Sequence, residues 1–272
     1  LPMYKHGRSD FEPLVPHLSA AGLAVLAIDL RGHGDSAGPA AMKLADRVEQ
    51  RDPKLFKEMA RDVTAAYEWL RDRPGVDPAR FALIGASVGG SIALDYAGRD
   101  KSVDAVVCLT PGLSYLGIDA AEAVARIGDR PMLLLAAEAE RAAVDALRRL
   151  TPSASAEIVP GPPAGRDRMA LHGSRMFGQV PGVEERIAAF LRTALGGPST
   201  ERVVASAKGK VYYPPDSSQA RRLSPRNLRW FSSPAEAQAR GLRPPASSAR
   251  SKGRSGGSTP SHAHDAPFPD GN

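Results

Sequence analysis

A chain of 272 residues is long enough to bury one substantial core and carry a small appendage. Its apolar content of 42% excludes disorder as the state of the whole chain, and no apolar run is long enough to span a membrane. The net charge of +6 belongs to the tail, because from Thr200 onward 12 Lys and Arg stand against 5 Asp and Glu; the near-neutral body argues against a nucleic-acid-binding main domain.

In chain order, residues 11–21 read as a first helix and residues 24–29 as a first strand. A long helical stripe follows over 55–73, where Phe56, Met59, Val63, Ala66, Tyr67 and Leu70 recur at helical spacing. Strands are expected at 81–85, 103–109, 132–136 and 157–159. Helices are expected at 88–97, 120–127, 142–150 and 183–195. Such alternation predicts an α/β fold, a mostly parallel sheet with helices on both faces. The single cysteine, Cys108, sits in the apolar run Val106-Val107-Cys108-Leu109 and reads as a buried small hydrophobe. It leaves no disulfide framework within one chain and no Cys-based metal site.

A domain over 1–195 is expected to end at a linker over 196–202, where Gly196-Gly197-Pro198-Ser199 changes the composition. A very small module over 203–244 holds Tyr212, Tyr213, Leu228, Trp230 and Phe231. The Ser-, Gly- and Pro-rich stretch 245–272 reads as disordered, with His262 and His264 as parts of a solvated tail.

Chemistry concentrates at Gly85-Ala86-Ser87-Val88-Gly89. An apolar strand before Ser87 and an apolar helix after it give the context of a nucleophile elbow, whose strained backbone requires small neighbours. The helix that starts there aims amide donors at a developing oxyanion. A serine hydroxyl needs a base. Of the six histidines, His262 and His264 are in the tail, His6 is near the first residue, His17 is on the first helix, and His33 is in a turn. His172, in the loop between the last strand and the last long helix, is the candidate base. The third member should be a carboxylate just past a strand, between serine and histidine in sequence. Glu140 is the better placed to reach across, with Glu138 as the alternative; either would hold the imidazole tautomer and stabilise the imidazolium. Both also fit solvated residues of a first helical turn.

With strand, elbow, acid and histidine in this order, residues 1–195 resemble an α/β-hydrolase, and most of all the dienelactone-hydrolase-like serine esterases. The segment Asp10-Phe11-Glu12-Pro13-Leu14 and the run from Ala24 through Asp29-Leu30-Arg31-Gly32-His33-Gly34-Asp35-Ser36 carry the likeness together with the elbow and the His172-Gly173 loop. The resemblance implies that Pro2-Met3-Tyr4 is the oxyanion loop, with the Tyr4 amide, beside Met3, as donor together with the Val88 amide. It also implies a strand between 24–29 and 81–85 that would end at Leu1. The chain, opening Leu-Pro-Met, therefore reads as N-terminally truncated, and the piece by itself is expected to aggregate or be inactive. The segments Lys208–Asp216, Ser224–Asn227, Phe231–Ala237 and Gly241–Pro244 resemble the small metal-binding fold of the Ada DNA-alkylation-repair protein. The four zinc-binding cysteines of that fold are absent, so no metal is expected.

The expected function is hydrolysis of a small carboxylic ester or related acyl compound through an acyl-enzyme, without metal or organic cofactor. Acyl transfer or perhydrolysis on the same triad, and a non-catalytic binding scaffold, are the alternatives. The segment 110–131 is too short for a lipase lid, which favours small soluble substrates. No specific nucleic-acid partner and no membrane span are expected; localisation and oligomeric state are open.

Overall fold

The computed structural model describes residues 1–272 other than 39–41, 74–75, 163–166, 197–202, 216, 225–226, 232 and 246–272. Four helices come first: α1 (Val15–Ala20), α2 (Met42–Glu49), α3 (Pro53–Glu58) and α4 (Ala60–Arg71). Strand β1 (Phe81–Ala86), helix α5 (Val88–Arg99) and strand β2 (Val103–Leu109) follow, then the two-residue strands β3 (Ser114–Tyr115) and β4 (Ile118–Asp119). Helix α6 (Ala120–Ile127), strand β5 (Met132–Ala137), helix α7 (Arg141–Leu150), strand β6 (Ser155–Val159) and helix α8 (Val183–Ala194) complete the larger part.

The main sheet has the order β1-β2-β5-β6, and every neighbouring pair is parallel. Both faces are buried, and the two-residue period of a strand divides the side chains between them. Val106, Cys108, Met132 and Leu134 enter a core with Ile92 and Leu94 of α5, Val144 and Leu147 of α7, and Leu55, Phe56 and Met59. Val107, Leu109, Leu133 and Leu135 enter the other core with Leu14, Leu18, Val183, Ile187 and Leu191. Each fully buried aliphatic side chain of this kind contributes roughly 1.5–3 kcal/mol. Cys108 is fully buried, and burial pushes its thiol pKa up.

The helical pattern expected over 55–73 is divided. Asp52 caps α3 by accepting from the Lys54 amide, and Pro53 occupies the first turn, so α3 starts before the apolar stripe. Met59 separates α3 from α4 while remaining fully buried, so the stripe keeps one face across the break. The first helix is also shorter than expected: a single turn over Arg8–Phe11 precedes α1. Helix α2 and the β3–β4 hairpin have no counterpart in the sequence reading.

Residues 24–29, expected as a strand, have no strand pairing. An apolar cavity of about 210 Å³, lined by Leu23, Val25, Ala27, Phe81, Ala82 and Ile84 among others, lies between this segment and β1. Strand partners stand about 4.9 Å apart, and across this space residues 24–29 form no such ladder with β1. On this edge β1 meets Leu1: the Leu1 amine donates to Ile84 O at 2.6 Å, and the Ala86 amide donates to Leu1 O at 3.0 Å.

Past the larger part, β7 (Val203–Ser206), β8 (Tyr212–Tyr213) and β9 (Leu228–Phe231) form an antiparallel sheet of order β8-β7-β9, followed by α9 (Pro234–Ala239). Val203, Ala205, Tyr212, Phe231, Ala237 and Leu242 form a small core there. Most of the expected linker and the expected disordered stretch, with His262 and His264, lie outside the described residues.

Candidate active site

Ser87 lies between the end of β1 and the first residue of α5, with φ +52° and ψ −120°. This backbone region is strained for any residue with a side chain, at about 1–3 kcal/mol, and persists where its surroundings over-determine it. Here the Ser87 amide donates to Leu109 O at 2.8 Å, and Ser87 O accepts from the Gly90 and Ser91 amides. The flanking glycines are required by contact. A Cβ on Gly85 would lie 2.2 Å from Gly89 O, and one on Gly89 would lie 2.3 Å from Leu1 O. Ser87 is half-buried. Its Oγ makes no hydrogen bond to another described residue, a common state of a catalytic nucleophile without substrate.

His172 follows β6 and opens a turn at Gly173, whose φ is +58°. Its Nδ1 is 2.6 Å from Glu140 Oε1, with 22% of the histidine side chain and 18% of the glutamate side chain exposed. Of the two carboxylates past β5, Glu140 is therefore the one that meets His172. Glu138 turns outward to Arg141 at 2.8 Å and is mostly exposed, and this cation holds its carboxyl below the usual range. A second group also reaches His172: Thr110 Oγ1 is 3.2 Å from Nδ1 and accepts the Gly173 amide at 2.9 Å. Glu140 Oε2 is buried without a hydrogen-bond partner among the described residues.

The loop at Pro2-Met3-Tyr4 lies against both halves of this arrangement. Leu1 O and Pro2 O face Gly89 in the first turn of α5, and Met3 Sδ packs on Gly173, where a Cβ would come within 2.2 Å of it. Met3 O closes a turn by accepting from the His6 amide, and the Tyr4 hydroxyl donates to Val48 O. Among the described residues no backbone carbonyl outside the helices and strands accepts from the Tyr4 or Val88 amide, and the first turn of a helix leaves an amide such as that of Val88 without an intrahelical partner. Asp10 links this loop to the histidine loop: Ser174 Oγ donates to Asp10 Oδ2 at 2.7 Å, and His6 Nδ1 is 2.8 Å from the same oxygen.

Ser87, Glu140 and His172 thus follow β1, β5 and β6 at the carboxyl ends of the parallel strands, where α/β sheets place their sites. The sequence reading missed Thr110, Asp10 and Ser174. Asp10 and Ser174 are 164 residues apart, and no spacing rule connects them. Thr110 carried one usable signal, as a polar residue directly after an apolar strand. Among the described residues, no three His, Cys, Asp or Glu side chains come together as a metal site, and no helix is long and apolar enough to cross a membrane.

The parallel sheet with a strained serine at a strand-to-helix turn defines an α/β-hydrolase. Residues 5–151 match the family described as serine aminopeptidase, S33, and the chain belongs to that family. An uncharacterized protein of Mycobacterium tuberculosis (strain H37Rv) is 37% identical over 90 residues, which make up 33% of this chain and 27% of that protein. The thiohydrolase AneE of Aspergillus aculeatus is 32% identical over 90 residues, 33% of this chain and 25% of its own. These matches thus span about a quarter of the length of either relative. Among solved structures, the α/β-hydrolase GrgF of Penicillium sp. sh18 superimposes with a TM-score of 0.52 at 16% identity, covering 71% of this chain and 88% of that one.

Proposed function

We propose that this chain carries the site of a serine hydrolase that cleaves a small carboxylic ester or related acyl compound through an acyl-enzyme. The observation that carries the reading is the 2.6 Å contact between His172 Nδ1 and Glu140 Oε1, at the same sheet end as the strained Ser87. In this reading the Ser87 hydroxyl attacks the acyl carbon while His172 Nε2 takes its proton. Glu140 holds the Nδ1–H tautomer and stabilises the imidazolium, and the Val88 and Tyr4 amides receive the oxyanion. The imidazolium then protonates the leaving group, and water, activated by His172, releases the acid. The relative named as a thiohydrolase fits a hydrolytic reading of this site.

A fluorophosphonate probe tests the proposal on the full-length protein. Wild type should be labelled, and Ser87→Ala should abolish labelling; labelling that survives the substitution refutes the assignment. A non-catalytic scaffold is the second reading, favoured by the lack of a hydrogen bond between Ser87 Oγ and His172. It predicts no labelling of wild type.

A further inference from the structure

We propose that Thr110 is a positioning residue of this site, whose hydroxyl fixes the histidine loop and the tautomer of His172; the inference rests on the serine-hydrolase reading above. Thr110 directly follows β2 and is buried. Its φ of +49° is rare for a β-branched residue. One bond that holds this conformation is its own amide, which donates to Leu135 O at 2.6 Å, beside the last Cα pair of β2 and β5. The side chain then serves two partners on the histidine loop. Its oxygen accepts the Gly173 amide at 2.9 Å and lies 3.2 Å from His172 Nδ1, the nitrogen that also faces Glu140 Oε1 at 2.6 Å.

Two oxygen acceptors around one ring nitrogen favour the proton on Nδ1 and leave Nε2 bare, as a general base requires. The bond to Gly173 adds a positional restraint. Gly173 is in the left-handed region and packed on Met3 Sδ, so a shift of this loop would move the imidazole and the oxyanion loop together. Threonine thus connects the end of β2, whose Leu109 O also holds the Ser87 amide, to the base. Valine keeps the shape of this side chain and removes the acceptor. Serine removes the methyl and keeps the acceptor.

The test uses the full-length protein with p-nitrophenyl acetate, the fluorophosphonate probe, and proton NMR of the imidazole Nδ1–H. Thr110→Val should lower kcat by roughly tenfold or more, the equivalent of one lost hydrogen bond, with KM within about twofold. Its Nδ1–H resonance should be lost through exchange. Thr110→Ser should keep both the resonance and kcat within about threefold of wild type. If the valine variant does not fold, Thr110→Ala carries the same expectation. A valine or alanine variant that keeps wild-type kcat and resonance overturns the proposal, as does a serine variant that loses as much as valine. Ser87→Ala is run in parallel. Labelling that survives Ser87→Ala overturns the hydrolase reading together with this inference. Labelling lost in Ser87→Ala but of normal rate in Thr110→Val overturns the role of Thr110 alone.

Discussion

Glu138 and Glu140 are two residues apart in a single short turn, yet their surroundings differ. Glu138 is mostly exposed beside Arg141, where water screens the ion pair, whereas Glu140 is held against His172. Under the proposed mechanism Glu140→Gln should lower kcat by roughly two to four orders of magnitude, and Glu138→Gln should change it less than about twofold. Steady-state kinetics of the two variants checks this; equal losses would remove Glu140 from its role. His33 shows a different effect of surroundings. It is 3% exposed, packs edge-on to Phe56, donates from Nδ1 to Arg31 O, and has Nε2 buried without a partner among the described residues. Burial, opposed by the Arg31 carbonyl, holds its pKa below the ordinary imidazole value. The unfolded chain therefore takes up the proton first as pH falls. Stability tied to this group is full above about pH 6.5 and drains as pH drops toward the folded-state value. The urea midpoint should fall less between pH 7.5 and 5.5 in His33→Gln than in wild type; equal falls would refute the argument.

At the scale of elements, the junction of β1 and α5 is built from backbone packed on backbone. The Cβ that Gly85→Ala would add meets Gly89 O and Gly90 N within 2.5 Å, and neither atom belongs to a side chain that can rotate away. Overpacking of this kind costs about 1–3 kcal/mol. At a shift of roughly 2–4 °C per kcal/mol, Gly85→Ala should lower Tm by several degrees. A calorimetric Tm equal to wild type would mean that α5 can shift without cost. The same junction explains why the apolar strand, the serine and the apolar helix are contiguous in sequence: the helix must start at once for its free amides to face the serine. The division of α3 from α4 at Met59 follows another logic, since a capping Asp and a Pro set the first start while burial keeps the common face.

At the scale of the whole molecule, the main sheet leaves one edge of β1 largely open, with the apolar cavity beside it. Open strand edges next to apolar surface pair with other chains. The folded chain should therefore bind a hydrophobic dye and self-associate increasingly with concentration; a product that binds no dye and stays monomeric at high concentration would refute this. Most of the sheet could be read from the chain, because parallel strands buried on both faces are apolar runs; β1, β2 and β5 appear where such runs occur, whereas the edge strand β6, with Ser155 and Glu157, is only partly buried. Residues 24–29 have the same apolar character without a ladder, since composition reports burial and cannot report whether a partner stands within hydrogen-bonding reach. Sequence by itself determined the fold class, the elbow at Ser87 and the order of candidate acid and base, because these follow from local periodicity and from small residues at fixed offsets. Only the tertiary structure decided that Glu140 rather than Glu138 meets His172, and that Thr110 and Asp10 reach the same loop. Those contacts join residues 32, 62 and 164 positions apart, and chain separation carries no information about distances that packing alone sets.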